Sequence, residues 1–358
     1  MPTAVCLGET MAVLTPGSGR TLSDADELRI GVGGAESNVA LGLAALGVDA
    51  HWVSRVGRDG FGDRILRHLA GQGVGVGAVG IDDERPTGLY VKVPSADPER
   101  TPGRVLYYRR GSAAAALGPD LLDDPAVADL LDRADLIHLS GITAALSDDC
   151  RALVERLLGR PRDTPRGRQR ISFDVNWRPA LWTGRHPEVL RALADRADVV
   201  LVGADEAEAA FGTTTEAGLR RLLPSPEVVV VKDGAVRASA LARDGSGTRV
   251  PALTVATVEP VGAGDAFAAG YLGGLLLGRP EHERLRAGHV AAAATLTVRA
   301  DRGVLPEKGV RDRLLGCSDE DWSRTAATAD GFAVDGVPVR TNPAADDHPH
   351  AVEPRVRS

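Results

Sequence analysis

Apolar residues along the chain fall into two rhythms. Short continuous runs occur at 4–7, 51–56, 136–139, 171–175, 199–202 and 228–232. Between and after them, apolar and small residues recur at helical spacing over 36–46, 61–69, 148–158, 187–197, 216–223, 266–277 and 283–299. Unbroken apolar strands alternating with helices predict a mostly parallel sheet covered on both faces. The shorter segments from 11 to about 31 and from 88 to 110 break that rhythm. They predict a small accessory β-sheet, with the polar loop SADPERTPG between two of its strands. After about residue 315 periodicity fades into polar, Pro-rich sequence, so 316–358 is expected to be a disordered tail.

Composition narrows the picture a little. A chain of 358 residues with 43% hydrophobic content can bury a sizeable core. The net charge of −7 argues against nucleic-acid or anionic-membrane partners. Cys6, Cys150 and Cys317 lack metal or disulfide spacing and suggest reduced thiols. With no basic leader and no apolar run long enough to span a bilayer, a cytoplasmic protein is expected.

Familiar nucleotide motifs are missing or misplaced. The string GVGVGAVG holds a GxGxxG pattern at 75–80, but turn and strand residues follow it where a dinucleotide site needs a helix. No Gly-Lys pair exists, which excludes a P-loop. His282 and His289 are too far apart for a zinc pair at i, i+4.

The stretch EPVGAGDAFAAG at 259–270 is more informative. Gly262, Ala263 and Gly264 open a helix, where free N–H groups can stabilise a developing oxyanion. Asp265 follows directly. It is placed to take a proton from an incoming hydroxyl, and the helix dipole is expected to keep it ionised at neutral pH. Gly33 and Gly34 precede another helix, permitting close approach of a ligand to the backbone, and Asn38 can both donate to and accept from a polyol. In YYRR at 107–110, alternation puts Tyr107 and Arg109 on one face. Arg178, in DVNWRP, follows a strand end, where open parallel sheets bind ligands.

Together GGAESNVALGLAALG, VGRDGFG, TGLY, VLYYRRGSA, HLSGIT, DVNWRPALW and EPVGAGDAFAAG resemble the ribokinase-like (PfkB-type) sugar kinase family, most closely its 2-keto-3-deoxygluconate kinases. The resemblance spans about residues 5–306. It implies an α/β fold, a ribokinase-like αβα layered domain over 1–315 with a mostly parallel central sheet and a small β-sheet lid. It implies Asp265 as base and the N–H groups of Gly262, Ala263 and Gly264 as anion hole. Gly33, Gly34, Asn38, Tyr90, Tyr107, Arg109 and Arg178 are expected around the sugar. Lys232 and Gly234, with Gly262 and Gly264, are expected on the ATP side, and Glu206 near magnesium. A homo-oligomer is implied as well.

Two positions depart from the family pattern. Gly203 stands where an Asn usually precedes Glu206 by three residues, and Arg237 replaces a glycine beyond Lys232 and Gly234. Because planar guanidinium groups match carboxylates, Arg109 and Arg178 favour a sugar acid, 2-dehydro-3-deoxy-D-gluconate or its galactonate epimer, phosphorylated by ATP. A neutral-sugar kinase and a non-catalytic sugar-acid binder are the rival readings.

Overall fold

The computed structural model describes residues 1–17, 21–93, 104–164, 167–298 and 303–340. Six strands run parallel in the order Val228–Asp233, Val199–Gly203, Arg170–Asp174, Leu136–Ser140, Thr3–Leu7 and Asp49–Val53. An antiparallel hairpin, Arg237–Ala242 and Gly247–Pro251, extends the sheet beyond the 228–233 strand. Strand alternation splits the core into two layers. Val5 and Leu7 face one, and Ala4 and Cys6 the other. Helices Pro125–Arg133, Asp148–Leu158, Pro187–Ala194 and Ala204–Phe211 cover the first layer. Helices Ala35–Ala45, Gly60–Gly71, Ala263–Leu276 and Glu281–Leu296 cover the second. This is the αβα arrangement expected from the alternating pattern.

The residues that broke the rhythm form a separate four-stranded sheet. Its order is Leu28–Gly33, Met11–Pro16, Leu89–Val93 and Arg104–Tyr108, with only the middle pair parallel. Residues 94–103, and with them the whole polar loop, lie outside the described residues. Two of the recognised motifs turn out to be one structural joint. Asp59 of VGRDGFG caps the 60–71 helix, accepting from Phe61 N at 3.0 Å and Gly62 N at 2.8 Å. Its other oxygen accepts from Thr87 N of TGLY at 2.8 Å, and the Thr87 hydroxyl accepts from Gly57 N at 2.9 Å.

The expected disorder after residue 315 is corrected for 316–340. Asp319–Ser323 is helical, and Thr325–Thr328, Gly331–Val334 and Val337–Pro338 are strands. The segment is polar overall, but Trp322 and Phe332 dock against the second core layer. A few large apolar residues suffice when a preformed surface receives them. Residues 341–358, and with them His348 and His350, lie outside the described residues. Among the described residues no helix is long and apolar enough to cross a membrane.

Candidate active site

The strands' carboxyl ends and the small sheet enclose a cleft of about 1060 Å³. The 263–276 helix starts at its floor. Gly262 is the N-cap with φ +83°, a left-handed conformation that favours glycine. The helix begins three residues before the expected 266, so Asp265 sits within its first turn. Ala263 N–H turns back to Pro260 O at 3.4 Å, so of the N–H groups at this helix start the ones that the helix geometry leaves facing outward are those of Gly264 and Asp265.

The 35–45 helix lies along the 263–276 helix, with Gly42 against Ala269; a Cβ on Gly42 would stand 2.4 Å from that of Ala269. This close packing brings Asn38 to Asp265, and Asn38 Nδ2–H donates to Asp265 Oδ2 at 2.9 Å. One carboxylate oxygen is therefore held by Asn38. Asn38, expected as a sugar ligand, thus also orients Asp265, the expected base.

The expectation of an ordinary ionised Asp265 is corrected. Burial raises its pKa to about 7, reinforced by Asp174, and this outweighs the hydrogen bond from Asn38 and the charges of Lys232 and Arg178. The carboxyl is open to the cleft but ringed by protein atoms, so little bulk water stabilises its charge.

Gly34 and Gly33 divide. Gly34 lines the cleft, and its close approach is to the turn after the first strand: a Cβ there would stand 2.5 Å from Glu9 O and 2.8 Å from Thr10 Cα. Gly33 is buried in the small sheet, paired with Met11, and is not part of the cleft lining. Gly34→Ala should destabilise the protein by about 1–3 kcal/mol, measured as a lower urea midpoint, because the contacting atoms are backbone and cannot rotate away.

Tyr90, Tyr107, Arg109 and Arg178 all line the cleft. Tyr107 packs on Tyr90 with ring centroids 5.7 Å apart, and the Arg109 guanidinium lies 5.6 Å from the Tyr107 ring centre. Arg109 is not an open cation, however. It is ion-paired with Glu9, whose side chain is 0% exposed, and Ser112 Oγ donates to the same carboxylate at 2.6 Å. Arg178 is different: its side chain is 48% exposed, 3.5 Å from Glu206 and donating to Trp177 O at 2.9 Å.

A second cleft, of about 1390 Å³, opens on the other side of the 260–264 loop. Gly234, Arg237, Val255 and Phe267 are among its lining residues, and Glu206, Lys232, Pro260 and Gly264 border both clefts. Lys232 does not point freely into either: its Nζ donates to Asp174 at 2.8 and 3.1 Å. Burial alone would depress its pKa, but Asp174 and Glu206 outweigh that and raise it. Glu206 Oε2 accepts from Gly203 N–H at 2.8 Å, so the backbone at Gly203 keeps this helix start closed without the usual Asn side chain. Burial also raises the Glu206 pKa. Among the described residues no group of three or more His, Cys, Asp or Glu is arranged to hold a metal. One carboxylate at the border fits a cation brought in by nucleotide phosphates better than a protein-built cage.

Sequence reasoning missed Glu9, Asp174, Asn176 and Lys92, which also line the first cleft. Asp174 and Glu9 each sit at or just past a strand's carboxyl end, a position that could have flagged them. Asn176 has a positive φ of 40°, and nothing in sequence periodicity signals that.

A layered parallel sheet, a small covering sheet and two clefts meeting at a helix start define a phosphotransferase acting on a small hydroxylated molecule. The chain belongs to the pfkB family of carbohydrate kinases, whose model matches residues 1–308. It is 33% identical over 323 residues to the 2-dehydro-3-deoxygluconokinase of Thermoproteus tenax, covering 88% of this chain and 94% of that protein. The 2-dehydro-3-deoxygluconokinase of Bacillus subtilis (strain 168) is 33% identical over 312 residues, 85% of this chain and 93% of that one. A PfkB protein from Polaromonas sp. JS666 superposes with a TM-score of 0.74 at 31% identity, covering 88% of this chain and all of that one.

Proposed function

We propose that the protein transfers the γ-phosphate of ATP to the terminal hydroxyl of 2-dehydro-3-deoxy-D-gluconate or its galactonate epimer. The observation that carries the reading is Asp265, fixed by Asn38 where the two clefts meet. The sugar acid occupies the first cleft and the nucleotide the second. The hydroxyl oxygen attacks the γ-phosphorus, its proton passes to Asp265, and the bond to the β-phosphate oxygen breaks. The N–H groups at the helix start stabilise charge on the transferring group. Magnesium would offset phosphate charge, and Glu206, which borders both clefts, would be the carboxylate to hold it. The small sheet excludes water from the joined clefts.

Acid preference rests on Arg178. The first cleft is lined by four acidic groups (Glu9, Asp174, Glu206, Asp265) and four basic ones (Lys92, Arg109, Arg178, Lys232), so acid preference needs a particular cation rather than a surplus of them. Arg109 and Lys232 are each countered by a buried carboxylate. Arg178 meets Glu206 only loosely, at 3.5 Å, and its exposed guanidinium is placed to grip the substrate carboxylate. Arg178→Ala should lower kcat/KM for the sugar acid about 10–100-fold and change a neutral sugar's value less than threefold. The assay is coupled ADP release over both sugar acids, fructose and ribose. Preference of the wild type for fructose or ribose would replace this reading with the neutral-sugar one, and substrate binding without ADP release would leave only a sugar-acid binder.

A further inference from the structure

The family match ends at residue 308, yet the chain continues into an ordered appendage that reaches the second cleft. Its strand Thr325–Thr328 pairs in parallel with Thr254–Val255, and Ala256 N–H donates to Ala327 O at 3.0 Å. Leu253, Val255 and Thr257 of that partnered segment line the cleft. A two-residue strand has too few ladder bonds to hold itself in place. Its position is set by the strand beside it.

Trp322 secures the same wall from behind. Its Nε1–H donates to Pro251 O at 2.9 Å, at the entry to the 252–257 segment. Its ring lies 6.2 Å from that of His289, which meets Phe267 edge-on at 5.4 Å. His289 and Phe267 both line the cleft, and Phe267 stands two residues after Asp265 on the same helix. His289 Nε2 lies 3.1 Å from Val250 O, an acceptor, which makes this nitrogen the protonated one. The ring is therefore fixed between the sheet edge and Trp322. Arg286 completes the anchor. It is 3% exposed, with its guanidinium 4.9 Å from the Trp322 ring centre, and donates to Leu315 O at 3.0 Å and Cys317 O at 2.6 Å.

We infer that the appended segment 317–340 is a working part of the nucleotide site: Trp322 is a positioning residue that fixes the 252–257 wall and the His289–Phe267 pair against the planar base of the bound nucleotide. The inference rests on the nucleotide occupying the second cleft. The family core supplies the base and the anion-binding turn, and the appendage supplies the rigid back of the purine pocket. Preorganising such a wall lowers the ordering cost of binding. It leaves the sugar cleft and the proton transfer unaltered.

The test compares Trp322→Phe, Leu130→Ala and Ala292→Leu in the full chain. Trp322→Phe retains an aromatic ring and removes the Pro251 hydrogen bond. It should raise KM for ATP fivefold or more, while KM for the sugar acid and kcat at saturating ATP stay within twofold. Leu130, on the 125–133 helix, is buried in the first core layer, across the sheet from the second cleft. Leu130→Ala should lower the melting temperature with ATP KM within twofold of wild type. Ala292→Leu narrows the cleft itself and should raise ATP KM. Unchanged ATP KM in Trp322→Phe, or an equal rise in Leu130→Ala, overturns the inference while Ala292→Leu still upholds the cleft assignment. If Ala292→Leu also leaves ATP KM unmoved, the nucleotide lies elsewhere and both fall.

Discussion

Asp265→Asn should lower kcat by about 10²–10⁴-fold with little change in KM for the sugar acid. The amide fills the same space and can keep a hydrogen bond with Asn38, but it cannot accept the hydroxyl proton. In the wild type, kcat/KM should rise with pH and level off above about 7, because burial raises the Asp265 pKa to about 7 and only the carboxylate acts as base. An acid limb centred near 4 would show that the carboxyl is not desolvated in the working enzyme. The same shift affects stability with a definite sign. The folded protein holds the Asp265 proton up to about pH 7, whereas the unfolded chain releases it near the ordinary value of 3.8. Between those values the native state binds more protons, so stability from this group is present below pH 4 and is lost as pH rises through 7. Asp265→Asn should therefore be more stable than wild type at pH 8. The gain should be on the order of 2 kcal/mol once the carboxyl's exposure to the cleft is allowed for, and it should vanish near pH 4. Paired urea melts at pH 4.5 and pH 8 measure it; a variant less stable than wild type at pH 8 would contradict the burial cost.

Arg109→Ala should unfold the protein far more readily than its place on the cleft wall suggests. It strands the buried Glu9 carboxylate, leaving the Ser112 hydroxyl to donate to it among the described residues. Losing one member of a buried pair costs about 3–5 kcal/mol, which for a domain of this size lowers the melting temperature by roughly 4–8 °C. Removing both charges, as in Glu9→Gln with Arg109→Met, should recover most of that loss. If the double variant is no more stable than Arg109→Ala, the lost stability comes from packing of the arginine stem rather than from the unpaired carboxylate. The contrast with Arg178→Ala, which strands no fully buried partner, separates an arginine that builds the cleft from one that reads the substrate.

The layered fold was legible because its signals are local. Each parallel strand is an apolar run of a few residues, and strands buried on both faces need no partner to be recognised. The glycine turn before Asp265 was legible for the same reason, since its conformation is dictated by residues 262–264. The hairpin at 237–251 was not, because its strands carry Arg237 and Arg249 and look polar until one edge is seen to be solvent. The appendage at 317–340 was read as disordered because its apolar residues are too few to make a core of their own. They need only complete one that residues far earlier in the chain have built.

The sequence alone determined the α/β architecture, the family and the glycine turn before Asp265, since each is carried by short local stretches of the chain. Tertiary structure decided the charge state of those groups and their true partners. Asp265 carries a raised pKa, Arg109 answers Glu9 across 100 residues of chain, and Lys232 answers Asp174 across 58. Desolvation and ion pairing depend on what surrounds a side chain in space, and a linear pattern of apolar and polar positions does not encode distances between remote segments.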